Sequence, residues 1–109
     1  MNEILNKTDK YSLNSLLEFQ QGAVVSRVLL KKKSGNITLF AFDEGEGLSE
    51  HTAPFDAYVQ VLEGDAEIMI SGNPYLLSAG EAIVMPAGEP HSLKAVTAFK
   101  MLLVMIKSE

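Results

Sequence analysis

Cysteine is missing from all 109 residues. That removes a disulfide framework, a thiolate nucleophile and any cysteine-held zinc from consideration. Long apolar runs are missing too. None approaches the roughly 20 residues of a membrane span, and the opening MNEILNKTDKY alternates charge without an apolar signal core. With no cysteine and no membrane segment, the expected location is cytoplasmic. Positive charge is scarce: 9 Lys and Arg stand against 14 Asp and Glu, a net charge of −5. Nucleic acid needs a clustered basic surface, so it is excluded as a partner. The one basic run, Lys31, Lys32 and Lys33, reads as a solvated strand end. There is no internal repeat, linker or low-complexity tract, and no phosphate-cradling glycine loop. No arrangement of a serine nucleophile with its base is recognisable.

What remains is ordinary globular composition, 47% hydrophobic and 21% charged, in a length that suits one domain with a single core. Most of the chain reads in period two. Runs such as GAVVSRVLLKK, NITLFAF, AYVQVLEG, DAEIMIS, EAIVMP and FKMLLVMIK are short, rich in β-branched and aromatic residues, and bounded by glycine, proline or asparagine. Glu63-Gly64-Asp65 reads as a tight hairpin, and Gly72-Asn73-Pro74 as a second turn. The pattern predicts an all-β antiparallel sandwich or barrel over residues 22–109. Residues 1–21 form an N-terminal segment with a short helix, in which Leu13, Leu16 and Leu17 share a face, Ser12 caps and Gly22 terminates. Two strands, ITLFAF and FKMLLVMI, are apolar on both faces. A two-layer domain of this size covers one face of each sheet, so a second copy of the chain is expected to cover the other, giving a homodimer.

The chemistry-bearing candidates are few. His51 follows Gly45 and Gly47, and His91 follows Gly88 and Pro90, each expected at a strand beginning. The forty residues between them bring an antiparallel chain back beside itself, so the two imidazoles are expected to face one another across the interior. Two neutral imidazoles in one cavity make a minimal divalent-metal site. Either imidazole also suits acid–base work without a metal. Arg27 interrupts an apolar strand and is expected in an ion pair, with anion binding as the lesser alternative. Glu44, Glu46 and Glu50 read as solvated loop charges.

GEAIVMPAGEPHSLKA supplies Gly80, Pro86, Gly88 and His91 at the spacing of the second motif of the cupin family, with Ala95 where asparagine is usual. Gly45, His51 and Gly64 fit the framework of that family's first motif. The chain therefore resembles the cupins, small jelly-roll β-barrels, over about residues 22–106. The resemblance implies a metal held by three histidines and a glutamate. Here the second histidine position is Ala53, and the glutamate position falls on Ala57 or Tyr58. Of the family's four ligands His51 and His91 remain, so the cofactor expected is at most a weakly bound divalent ion (Zn, Ni, Fe or Mn). Asp56 completes a two-histidine, one-carboxylate triad only if a bulge reverses its face.

The alanines also make room. With the inward phase at 53, 57, 59 and 61 occupied by Ala53, Ala57, Val59 and Val61, the interior is mostly apolar with two polar points, as small-molecule pockets often are. The leading expectation is a small-molecule-binding protein whose ligand-binding residues are His51, Ala53, Ala57, Val59 and His91. The alternatives are a metal-dependent dioxygenase or isomerase using the two histidines, and a regulatory or structural dimer whose interior is filled. Phe42, Phe55, Met85, Phe99 and Met101 are candidates to line the interior.

Overall fold

The computed structural model describes residues 8–107. Nine strands carry the fold: β1 (Val24–Lys32), β2 (Gly35–Phe42), β3 (Gly47–His51), β4 (Phe55–Glu63), β5 (Asp65–Ile70), β6 (Asn73–Ser78), β7 (Ala82–Met85), β8 (His91–Ala95) and β9 (Phe99–Lys107). They form two antiparallel sheets, one of five strands in the order β1-β2-β9-β4-β7 and one of four in the order β3-β8-β5-β6. The period-two pattern fixes which residues meet between them. On β4, Ala57, Val59 and Val61 are buried, while Asp56 and Tyr58 point outward. Phe42 and Phe99 stack between the sheets with ring centroids 4.6 Å apart and planes within 4°. Removing both rings from water contributes about 2–3 kcal/mol each. With Val59, Val61, Ile68 and Met101 they fill most of the interior. Phe55 is only half-buried and stands apart from this cluster.

The turn at Glu63-Gly64-Asp65 is not the hairpin its residues suggest. β4 and β5 belong to different sheets, so this single-glycine link is a corner. Gly64 sits at φ +82, and a Cβ there would run into the Ala98 carbonyl oxygen. Close backbone approach, not hairpin geometry, requires glycine. The tight hairpin lies one strand later. Ile70 pairs with Asn73, and Ser71 and Gly72 between them have φ of 49 and 83, as a type I′ turn demands.

The helix expected near Leu13 is a single 3-10 turn, Leu13–Ser15. The Ser12 side chain makes no capping bond there, and Gly22 belongs to a separate turn in which Ala23 N donates to Gln20 O. Three residues of 3-10 geometry give little helical stability of their own. The segment is held by packing: Leu13, Leu16, Leu17 and Phe19 lie on Leu29, Leu39, Ala41 and Leu102, the outer face of the five-stranded sheet. Two cations pin it. Arg27 donates to the Leu16 carbonyl at 2.7 Å, taking a backbone acceptor instead of the expected carboxylate. Lys100 donates to the Asn14 carbonyl at 2.7 Å, with its Nζ 5.1 Å from the centre of the Phe19 ring and 3.8 Å from Glu63. Much of the second apolar face is thus covered from within the chain. Among the described residues no helix is long and apolar enough to cross a membrane.

Candidate functional site

His51 and His91 do meet, but not across the interior. They are cross-strand partners on neighbouring strands β3 and β8 of the four-stranded sheet. Their ring centroids are 4.4 Å apart and the planes lie at 68°. His91 opens β8, as expected, whereas His51 closes β3.

A bulge explains how His51 reaches the site. Leu48 pairs with Leu93 and His51 with His91, so β3 spends three residues where β8 spends two. The extra residue reverses the face of everything beyond it. Leu48 and His51 therefore both turn inward, which strict alternation forbids. The His51 Nδ1 lies 2.7 Å from the Ser49 carbonyl inside this bulge, and the His91 Nδ1 lies 3.0 Å from the Glu89 carbonyl. A carbonyl oxygen only accepts, so each Nδ1 carries the proton and donates. In the neutral ring each Nε2 then keeps its lone pair.

The two histidines stand at one wall of a cavity of about 60 Å³, lined besides by Leu48, Ala53, Ala57, Met85, Leu93, Met101, Leu103 and Met105. That is room for a few water molecules. His91 is buried and His51 exposed, so the pair spans the cavity and its mouth. The mouth is stapled: Gly88 N donates to the Ala53 carbonyl and Ala87 N to the Asp56 carboxylate, both at 2.9 Å. Asp56 is thereby placed outside, on the exposed face of β4, and completes no triad. Glu44 and Glu50 are exposed and outside the cavity lining.

Of the expected ligand-binding residues, His51, Ala53, Ala57 and His91 line the cavity. Val59 does not: two residues farther along β4, about 7 Å, it is fully buried in the core below. Leu48 and Leu93 were not anticipated, because a strand over Gly47–His51 is short, polar at alternate positions and bulged. The interior is thus filled by side chains over most of its length and open at the histidine end.

The profile of the family described as Cupin domain matches residues 38–107. The chain belongs to the cupin family. Solved structures resemble it along most of its length. A conserved protein of unknown function from Streptococcus pyogenes is 41% identical with a TM-score of 0.92, covering 99% of this chain and 94% of that one. A cupin 2 conserved barrel domain protein from Leptotrichia buccalis is 38% identical with a TM-score of 0.86; the match covers 89% of this chain but only 47% of that one. A cupin superfamily protein from Desulfitobacterium hafniense is 28% identical with a TM-score of 0.89 and 95% coverage of each chain. No curated protein matches this cupin.

The donor set does not fit the divalent ion that the family implies. Among the described residues there is no group of three or more His, Cys, Asp or Glu side chains placed to hold a metal. Ala53 and Ala57 offer no lone pair, and the cavity contains no carboxylate to offset a double positive charge in apolar surroundings.

Proposed function

We propose that this cupin binds a small molecule in the cavity beside His51 and His91. The observation that carries this reading is the pair of histidines, each with its Nδ1 on a backbone carbonyl, at one end of a lining that is otherwise aliphatic or thioether. Such a site selects a small or narrow-ended apolar ligand that presents a hydrogen-bond donor to the imidazoles. A cavity of about 60 Å³ is far below the roughly 300 Å³ of a drug-sized pocket, so only part of a larger ligand would enter. An imidazole with a free lone pair also accepts a proton. Metal-dependent catalysis with the family's ligands is the weaker reading because two of those ligands are alanine.

The test is methyl NMR with a library of small alcohols, amides and hydroxy acids. Supporting compounds shift the Ala53, Ala57 and Met85 methyls and lose their effect in His91→Ala. Compounds that bind elsewhere, or that bind His91→Ala equally well, overturn the reading.

A homodimer is the second part of the proposal. Ile37, Val104, Tyr58 and Val84 are register neighbours in one row across β2, β9, β4 and β7, on the outer face of the five-stranded sheet. The cluster under the N-terminal segment includes Ile37 at one end of this row but not Val104, Tyr58 or Val84. Val84 and Ile106 stay 52% and 58% exposed. A two-fold axis would bury this row against its own copy. Sedimentation of the wild type as a dimer at micromolar concentration, and of Val104→Asp as a monomer, supports it; a wild-type monomer overturns it.

A further inference from the structure

We propose that Asp56 and Glu89 are positioning residues for His91: from opposite sides they hold the strap of residues 86–90, whose Glu89 carbonyl keeps the His91 proton on Nδ1. The inference rests on the reading that the cavity binds a donor-bearing small molecule, and it assigns the residues that keep one of the two acceptors ready.

The strap joins β7 of the five-stranded sheet to β8 of the four-stranded sheet. On one side, Ala87 N donates to the Asp56 carboxylate and Gly88 N to the Ala53 carbonyl, both at 2.9 Å. On the other, the Ser71 hydroxyl donates to the Glu89 carboxylate at 2.7 Å and Ser71 N to the Pro90 carbonyl at 2.8 Å. Asp56 stands on β4 and Ser71 in the turn after β5, so the strap is tied to both sheets.

Strand pairing alone does not set the ring. Pairing with Ile70 and His51 fixes the His91 backbone, but the partner of Nδ1 is the Glu89 carbonyl, 3.0 Å away and inside the strap. The strap turns through Gly88 at φ +81, and the aim of that carbonyl turns with it. A carbonyl that rotates away leaves Nδ1 without an acceptor. The ring proton then passes to Nε2 and closes the lone pair that the ligand needs.

His51 is the internal control. Its Nδ1 partner, the Ser49 carbonyl at 2.7 Å, belongs to its own strand β3. General loosening of the fold disturbs both rings, whereas loss of the strap's ties disturbs His91 alone. The competing role for two exposed carboxylates is solvation, and then their removal changes neither ring.

The experiment uses full-length, metal-free protein labelled with nitrogen-15, above neutral pH and well below its melting temperature. Long-range nitrogen–proton spectra read both tautomers in wild type, in Asp56→Ala/Glu89→Ala and in Asp56→Asn/Glu89→Gln, which keeps an acceptor oxygen at each position. Asp56→Ala and Glu89→Ala singly give the same readout at smaller amplitude if the double variant does not fold. Isopropanol, followed at the Ala53 methyl, probes the cavity. In the double alanine variant the Nδ1-protonated form of His91 is expected to fall to about half or less, with His51 unchanged and isopropanol weakened about twofold or more, in proportion to the lost form. The amide variant is expected to match wild type.

An unchanged His91 tautomer in the alanine variants, an equal change in His51, or an amide variant that behaves like the alanine one each overturns the proposal. If the tautomer stays while isopropanol still shifts the Ala53 methyl in a His91-dependent way, the positioning inference falls and the pocket reading stands. If the tautomer responds but no small molecule binds wild type, the pocket reading falls and the hold of the strap on His91 stands.

Discussion

Ala57→Glu restores the carboxylate that the cupin framework leaves room for, and the structure says it will harm the protein unless a metal follows. Ala57 is 5% exposed and lies between Met85 and Met105. The cavity of about 60 Å³ can take the four added heavy atoms, so steric crowding is the smaller effect. Hydrogen bonding is the larger one. Both Nδ1 protons are already given to the Ser49 and Glu89 carbonyls. A carboxylate there finds no donor while it and the neutral rings stay unprotonated. An unsatisfied buried polar group costs about 1–3 kcal/mol, more when charged, which places the loss at about 2–4 kcal/mol. At roughly 4–6 °C per kcal/mol for a domain of this size, the melting temperature should fall by roughly 10–20 °C in the presence of a chelator. Adding Ala53→His supplies the third imidazole. Nickel or zinc at a hundred times its Kd should then return about 2.7 kcal/mol, a gain not expected of wild type. Calorimetry of the three proteins with metal and with chelator reads all of this. An Ala57→Glu protein that melts like wild type in chelator, or a double variant indifferent to metal, would refute the reasoning.

Two other substitutions probe what holds the fold around the site. Gly64→Ala drives a Cβ into the Ala98 carbonyl oxygen and to 2.9 Å from the Phe99 Cα at the sheet corner; urea denaturation should show a loss of about 3 kcal/mol or more, and a loss below 1 kcal/mol would deny that the corner needs glycine. Lys100→Met keeps the apolar stem over Phe19 but removes the bond to the Asn14 carbonyl. It should cost about 1–2 kcal/mol and speed proteolytic cutting within residues 8–22, whereas unchanged proteolysis would mean the segment is held by its leucines alone.

The fold was legible because the two-residue period of the strands and the framework residues Gly45, Gly80, Pro86 and Gly88 carry their meaning locally. The inward set Ala53, Ala57, Val59 and Val61 followed from alternation once the cupin motif gave the phase, and the structure buries the last three. What could not be read depends on contacts distant in sequence. The Glu63-Gly64-Asp65 corner has the residues of a hairpin, and only the Ala98 backbone beyond it shows why glycine stands there. The bulge within β3 has no glycine or proline to announce it, yet it turns His51 inward beside its neighbour His91 on the same sheet. Arg27 looked like half of an ion pair because carboxylates are many in this chain, whereas the acceptor it takes is the Leu16 carbonyl of the N-terminal segment. The apolar cover of the outer sheet face came partly from Leu16, Leu17 and Phe19 of the chain itself, where the sequence pointed to a second subunit.

The central claim is that two imidazoles share one cavity with both Nε2 atoms free. Long-range nitrogen–proton NMR on nitrogen-15 labelled protein, free of metal and above neutral pH, reads the tautomer of each ring directly. The expected spectrum shows both His51 and His91 protonated on Nδ1, with the unprotonated Nε2 signals moving when a ligand or metal is added. Either ring protonated on Nε2 would close that lone pair to the cavity and contradict the account.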